Sequence, residues 1–218
     1  MVDEQHLRRV KISARPLGQR TVAHILGVMY EVPSKTNIVI EGLENLPSDQ
    51  GVMLALNHTD RYNYWPLQYD LWRTGYERMT LAWVKAKYYE NKLLGRFFDL
   101  CNNLPLPSLG YVILKDAYAV LERKMSDDEY RVVRDLADAK IGQEEALDKA
   151  TDDVRHLLTK RRGDFDPSNE GYFEFINRWN DRLMGAVEDR TLEALHEKKN
   201  HVIVFPQGTR SVRLLPAR

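Results

Sequence analysis

Five short apolar runs, each bounded by polar or turn-forming residues, constrain the fold of this chain most strongly. They cover residues 38–40, 52–56, 81–84, 110–114 and 202–205. Runs of this length rich in Val, Ile and Leu are typical of buried strands. Longer stretches with apolar residues at helical spacing separate them. We therefore predict an α/β fold, a central sheet flanked by helices.

The amino-acid composition argues against a nucleic-acid-binding protein and against a membrane-spanning helix. The chain has 218 residues, and 32 basic side chains balance 32 acidic ones. Zero net charge disfavours a nucleic-acid-binding protein, which is more often basic. The single cysteine, Cys101, excludes an intrachain disulfide and suits a reducing compartment. No apolar run reaches the roughly 18 residues of a spanning helix. We expect a protein in the cytoplasm, or peripheral to the inner face of a membrane.

The N-terminal residues 1–35 differ from the remainder, 36–218, in pattern. Five arginine or lysine side chains precede apolar residues at one helical face, Val22, Ile25, Leu26 and Met29. Such a basic, amphipathic segment can lie on an anionic membrane surface. It can equally pack on the domain core, and periodicity alone favours this second interpretation.

Residues 126–198 are predicted to form a charged helical insertion within the 36–218 domain. Ser126 and Glu129 have the spacing of a capping box, and Gly142 is placed to end that helix. A second helix is predicted over residues 143–162, and a third beginning at residues 166–167. A lid, a dimer surface or a site for a protein partner would all fit this insertion.

Two polar motifs follow directly after predicted strands. Residues 57–63 read Asn-His-Thr-Asp-Arg-Tyr-Asn, and residues 205–210 read Phe-Pro-Gln-Gly-Thr-Arg. The ends of strands are where ligands bind in open α/β sheets. His58 is a candidate general base, because its ordinary pKa lets it accept a proton at neutral pH. Arg210 is a candidate anchor for a phosphate, which a guanidinium binds in a bidentate fork.

Together and in this order, the motifs resemble those of the glycerolipid acyltransferases. The first motif of that family is Asn-His, four residues and Asp, and its third is Phe-Pro-Glu-Gly-Thr-Arg. Residues 40–47 before the histidine also resemble the family, and residues 110–115, ending at Lys115, resemble its middle motif loosely. The resemblance covers residues 20–115 and 190–218, and it implies the family's central sheet flanked by helices.

The resemblance implies transfer of a fatty acyl group in phospholipid biosynthesis. The donor would be acyl-CoA or acyl-carrier protein as co-substrate, without a metal or bound cofactor. The acceptor would be glycerol phosphate or a lysophospholipid. His58 would act as base and Asn63 would orient it. The substrate would contact the loop that consists of Pro206, Gln207, Gly208, Thr209 and Arg210.

The chain departs from the family at both acidic motif positions. Asn63 stands where the family has Asp, and Gln207 stands where it has Glu. An amide can accept a hydrogen bond from the imidazole but adds no charge to stabilise the imidazolium. The sequence also ends eight residues after Arg210, where the family continues with further strands and helices. These departures motivate an alternative: a truncated or degenerate relative that binds lipid or a partner without catalysis.

Overall fold

The computed structural model describes residues 2–33, 35–57, 64–76 and 78–206. These residues form an α/β fold whose four strands make one parallel sheet in the order β1-β4-β2-β3. The strands are β1 (Met53–Ala55), β2 (Thr80–Lys85), β3 (Asn103–Leu106) and β4 (His201–Val204). The strand latest in sequence, β4, therefore lies inside the sheet, between β1 and β2.

Helices cover the sheet and form a block beside it. They are α1 (Glu4–Arg9), α2 (Leu17–Glu31), α3 (Trp65–Arg73), α4 (Lys92–Leu100), α5 (Leu109–Leu121), α6 (Asp127–Ala137), α7 (Gln143–Lys149), α8 (Asp152–Thr159) and α9 (Tyr172–Leu192). Short 3₁₀ turns occur at Leu43–Asn45 and Ala86–Glu90, and α9 continues into a π-helical turn at Glu193–Glu197.

Several sequence predictions are confirmed. The runs at residues 52–56, 81–84 and 202–205 correspond to β1, β2 and β4. The capping box also forms: the Ser126 hydroxyl accepts from the Glu129 N–H at 3.2 Å, and the Glu129 carboxylate accepts from the Ser126 N–H at 2.8 Å. Arg123 adds two hydrogen bonds to that carboxylate and lowers the pKa of Glu129 to about 2.

Two strand predictions are wrong and one strand was missed. Residues 38–40 join no described strand, and Val39 is exposed. Residues 110–114 belong to helix α5, whose N-cap Ser108 accepts from the Tyr111 N–H. A short apolar run fits a buried helix as well as a strand. Strand β3 was missed because it contains Pro105, which is tolerated here since β3 is at the edge of the sheet.

The helical insertion is divided differently from the prediction. Helix α6 ends at Ala137, and Gly142 begins α7 instead of ending α6. The predicted helix over 143–162 is two helices, because the hydroxyl of Thr151 caps the start of α8. Helix α9 begins at Tyr172, and Asp166 instead accepts hydrogen bonds from Ser168 in the preceding turn.

One hydrophobic core joins the N-terminal segment, the sheet and the insertion. It includes Leu7 of α1, Leu81 and Leu104 of the sheet, and Ile176 and Leu183 of α9, all almost fully buried. Burial of such side chains contributes about 1.5–3 kcal/mol each. The first helix is further held on α9 by surface ion pairs. The insertion is thus a continuous part of the fold.

A buried ion pair ties helix α5 to the insertion. Arg162, between α8 and α9, donates to both carboxylate oxygens of Asp116 on α5, at 2.9 and 2.5 Å. The Tyr172 hydroxyl donates to the same carboxylate at 3.1 Å. The Asp116 side chain is 5% exposed and that of Arg162 is 16% exposed. The guanidinium also lies 4.7 Å from the ring centroid of Phe165.

Replacing Asp116 by Ala is expected to lower the free energy of unfolding by about 3–5 kcal/mol, because it leaves the Arg162 cation buried without a counter-charge. Urea titration followed by circular dichroism measures this loss. Asp128→Ala is the matched control, since Asp128 pairs with Arg131 at an exposed site where the loss should stay below about 1 kcal/mol. Equal losses in the two variants would contradict a special role for the buried pair.

Candidate functional site

The structure describes the flanks of both motifs. His58 and Asn63 lie in residues 58–63, and Gln207, Gly208, Thr209 and Arg210 lie in residues 207–218; both segments are outside the described part. Asn57, Tyr64, Phe205 and Pro206 are described and mark where the chain enters and leaves these segments. Pro206 is exposed, as is Asn57.

The two strands that lead into the motifs are hydrogen-bonded neighbours. Ala55 of β1 is in register with Val204 of β4, and the Leu56 N–H donates to the Val204 carbonyl at 2.9 Å. Because the strands are parallel, both chains leave the sheet at the same carboxyl edge, about 4.8 Å apart. Asn57 and Phe205 therefore lie side by side, although most of the chain separates them in sequence.

Tyr64, the residue that follows the first motif, lies at the same place. The ring of Tyr64, directly after residue 63, meets the ring of Phe205 edge to face, with centroids 5.7 Å apart. Such aromatic pairs contribute about 0.5–1.5 kcal/mol beyond the area they bury. Burial also raises the pKa of Tyr64, so its phenol stays neutral. The residues on either side of the segment 58–63, Asn57 and Tyr64, thus both lie beside the end of β4.

Helix α3 starts at this edge and is held to the sheet. Pro66 occupies its first turn, where a missing N–H costs nothing. The Gln68 side-chain amide donates to the Thr80 hydroxyl of β2 at 2.7 Å. Asp70, the nearest acid to the first motif after Asp60, is buried and ion-paired with Arg73. Since Arg73 neutralises it within the same helix, Asp70 has a structural role; Asp60 lies outside the described residues.

An apolar cavity lies between α2, α3 and α4 and reaches the residues that follow the first motif. Its volume is about 80 Å³, several times what one water molecule needs. Its lining is mostly aliphatic and aromatic: Val22, Ala23, Leu26, Tyr64, Trp65, Tyr69, Trp72, Met79, Phe97, Phe98 and Cys101, with the polar Gln19, Gln68 and Asn103. The lining has the apolar composition of a ligand pocket, although the volume is below that of a typical one.

Polar groups of this cavity lining are already satisfied within the protein. The Gln19 side-chain amide donates to the carbonyls of Thr80 and Cys101, at 2.5 and 2.7 Å. The Cys101 thiol is buried, and burial raises its pKa to about 11. At neutral pH it is a protonated, unreactive thiol. Cys101 therefore packs as a buried structural residue.

Lys115, the basic residue of the loose middle motif, lies on α5. Its ammonium pairs with the Glu90 carboxylate at 2.6 Å, and the Tyr111 hydroxyl donates to the other oxygen of that carboxylate, also at 2.6 Å. These bonds outweigh burial and lower the pKa of Glu90. Residues 110–115 are helical and therefore do not bring Lys115 to a strand end, where the two other motifs begin.

His201 is fully buried at the opposite edge of the sheet, at the start of β4. Its Nδ1 accepts from the Val52 N–H at 3.2 Å, so the proton of the neutral ring is on Nε2. Nε2 lies 3.0 Å from the Tyr76 hydroxyl, which donates to the Pro47 carbonyl. Burial, with a smaller contribution from Arg78, lowers the pKa of His201. This histidine therefore fixes the loop before β1.

The described residues contain neither a membrane-spanning helix nor a cluster of potential metal ligands. None of their helices is both long enough and apolar enough to cross a bilayer. Their His, Cys, Asp and Glu side chains include no group of three or more placed to hold a metal ion.

Comparison with known proteins identifies no relative of this chain. No family model, curated protein or solved structure matches the chain. Any assignment of function therefore depends on the motifs and on how the sheet arranges their flanks.

The cavity is the feature of this region that the sequence analysis missed. Trp65, Tyr69 and Trp72 have the spacing of one helical face and lie on helix α3. That their rings line a cavity depends on where α2 and α4 pack, which the spacing within one helix does not specify.

The free energy of unfolding is expected to fall as the pH is lowered below about 6.5. His201 has a lowered pKa in the folded protein, so the unfolded chain binds more protons in this range. One such group gives a slope of at most about 1.4 kcal/mol per pH unit. In His201→Gln this contribution to the slope should disappear, as measured by urea unfolding between pH 5 and pH 8 (roughly the range in which histidine titrates).

The exposed His156 provides the control. His156→Gln should keep the slope of the parent protein. A slope that survives unchanged in His201→Gln would mean that His201 is not the responsible group.

Proposed function

We propose that this chain is an acyltransferase. It moves a fatty acyl group from acyl-CoA or acyl-carrier protein to the hydroxyl of a glycerol phosphate or lysophospholipid, as in phospholipid biosynthesis. The observation that supports this most is the parallel pairing of β1 with β4. Their adjoining ends lead into the His58 motif and the Arg210 motif, which a reaction between a base and an anchored acceptor requires to be close.

In this proposal His58 removes the proton from the acceptor hydroxyl as its oxygen attacks the thioester carbonyl. The tetrahedral intermediate then collapses, the carbon–sulfur bond breaks, and the leaving thiolate takes the proton from His58. Asn63 orients the imidazole through its side-chain carbonyl. Because an amide lacks the charge of a carboxylate, turnover would be slower than with Asp at this position.

The second motif supplies the acceptor site. Arg210 holds the phosphate through a bidentate contact, and Thr209 adds a hydroxyl. Gly208 permits close approach of the backbone, while Pro206 and Gln207 shape the loop. The exposed Pro206 at the end of β4 is consistent with a loop open to substrate.

The cavity between α2, α3 and α4 is the proposed site of the last few carbons of the acyl chain, because its volume of about 80 Å³ is too small for a whole chain. It is apolar, and it contacts Tyr64 and Trp65 directly after the His58 motif. A lipid acceptor also implies access to a bilayer, so we propose that the protein works at the inner, cytoplasmic face of a membrane. The helical insertion remains available to a protein partner.

The first test is release of free thiol from acyl-CoA in the presence of glycerol-3-phosphate or lysophosphatidate. His58→Ala should abolish release, because it removes the base that accepts the proton of the acceptor hydroxyl. Asn63→Asp should raise turnover by about tenfold or more, because it restores the charge that stabilises the imidazolium. His156→Ala, at an exposed histidine far along the chain, is the matched control and should keep the parent rate.

Normal turnover in His58→Ala would remove this residue from the mechanism. If folded parent and Asn63→Asp are both silent with acyl-CoA and acyl-carrier protein donors, the alternative, a non-catalytic lipid- or partner-binding relative, would replace the enzyme proposal.

Filling the cavity should change chain-length preference. Val22→Phe adds volume to the lining and is expected to lower kcat/KM for long-chain donors by about tenfold, with short-chain donors little affected. Val39→Phe, an identical change at an exposed site outside the cavity lining, should leave the profile unchanged. Equal losses for short and long donors in Val22→Phe would contradict an acyl-chain role for the cavity.

A further inference from the structure

Helix α2 presents an apolar stripe to solvent. Leu17, Ile25, Val28 and Met29 are exposed, with Leu17 at 66% and Val28 at 65%. At 100° per residue they fall within about one third of the helix circumference. The opposite side of the helix, with Ala23 and Leu26, is buried. The periodicity of the N-terminal segment favours packing on the core. The structure shows that this helix packs apolar residues on the core and exposes other apolar residues to solvent.

Helix α4 presents a second apolar stripe. Leu93, Phe97 and Leu100 recur at helical spacing and are all exposed, Leu93 at 78%. The helix buries Gly95 and partly buries Phe98 on its other side. An exposed Leu-Phe-Leu row on a nine-residue helix is unusual for a surface that only contacts water.

The two stripes form one surface because α2 and α4 pack closely. A Cβ atom on Gly18 would lie 2.5 Å from the Leu100 carbonyl oxygen, so glycine allows the helix backbones to touch. Val22 of α2 and Phe97 of α4 line the same cavity. We call this surface, Leu17, Ile25, Val28, Met29, Leu93, Phe97 and Leu100, the α2/α4 face.

Basic side chains surround the α2/α4 face. Arg15 and Arg20 flank it on the α2 side, and Lys92 and Arg96 on the α4 side; all four are exposed. None of them has an ion-pair partner among the described residues. A groove lined by Arg9, Lys11 and Arg15 also includes Leu17 and Leu100 of the face.

Acidic side chains near this rim, namely Asp3 in the groove, Asp99 on α4 and Glu31 at the end of α2, are fewer than the basic ones. Asp99 on α4 is half buried on the inner side of the helix, and burial raises its pKa. Glu31 at the end of α2 accepts from the Tyr69 hydroxyl at 2.8 Å. The charge around the face is therefore predominantly positive.

We propose that the α2/α4 face docks on an anionic lipid bilayer, with its apolar side chains inserted into the interface and the four cations on lipid phosphates. Leu, Ile, Met and Phe flanked by Lys and Arg are the composition of helices that lie in a membrane interface. A second copy of this chain is a poorer occupant, because self-pairing would bring like-charged rims together.

This inference rests on the membrane location in the proposed function, and it names the face and the class of lipid. Docking would place the cavity between α2 and α4 next to the acyl region of the bilayer. It requires no turnover, so vesicle binding by a protein that releases no thiol would overturn the enzyme proposal and leave this one standing.

The test is co-sedimentation of the full chain with vesicles of phosphatidylcholine alone or mixed with phosphatidylglycerol. The parent should bind the mixed vesicles preferentially, and salt should weaken the binding. The double variant Leu93→Gln/Phe97→Gln should lower the partition constant about a hundredfold, roughly tenfold for each side chain removed from the interface. Lys92→Gln/Arg96→Gln should lower it roughly thirtyfold on mixed vesicles and little on phosphatidylcholine.

The matched control is Leu114→Gln/Tyr118→Gln, which changes an exposed apolar pair with the same spacing on α5. It should bind vesicles like the parent. The proposal is overturned if the parent does not bind mixed vesicles, or if the α4 variant and this control bind equally. It is also overturned if the parent is a dimer that Leu93→Gln/Phe97→Gln dissociates without any vesicle binding.

Discussion

The parallel pairing of β1 with β4 is the constraint on which the candidate site depends. β1 is three residues long, and within the described part of the chain β4 is its only sheet neighbour. The hydrogen bond from the Leu56 N–H to the Val204 carbonyl continues this pairing to the last residues before both motifs. A register shift by one residue would turn the side chains of β1 to the opposite face. The relative position of the two motifs is thus set by a few backbone hydrogen bonds.

The helical insertion, residues 126–198, stabilises the pairing of β1 with β4 because its last helix leads directly into β4. Its longest helix, α9, packs on α1, α5 and β3 and leads through a π-helical turn into β4. The Asp116–Arg162 pair holds α5 to the same insertion. At the turn into β4, a Cβ atom on Gly51 would lie 2.3 Å from the Asn200 carbonyl oxygen, so only glycine lets the chain before β1 pass this close to β4. The insertion therefore helps to position β4, the strand that leads into the second motif.

The sequence predicted elements whose signal is local. The strand at residues 81–84 and the Ser126–Glu129 capping box each depend on residues within one element, and both are confirmed. Residues 110–114 were misassigned because an apolar run that is buried on most sides has no distinctive period. β3 was missed because Pro105 is acceptable only at a sheet edge, and edge position is a property of the whole sheet. The cavity and the α2/α4 face depend likewise on helix packing, while His58, Asn63 and the loop 207–210 stay predictions from their motifs.

The strand order has a consequence for how the protein is made. Residues 56–200, 145 in all, separate β1 from its partner β4. At the usual pace of synthesis, β4 leaves the ribosome roughly 7–30 s after β1. During that interval β2 can pair with β3 and the insertion can begin to pack, but β1 has no described strand beside it. Closing so long a loop is also entropically costly, which slows formation of non-local sheets. We infer that the two motifs come together only after β4 has been synthesised, and that the nascent chain exposes β1 as an unpaired strand until then.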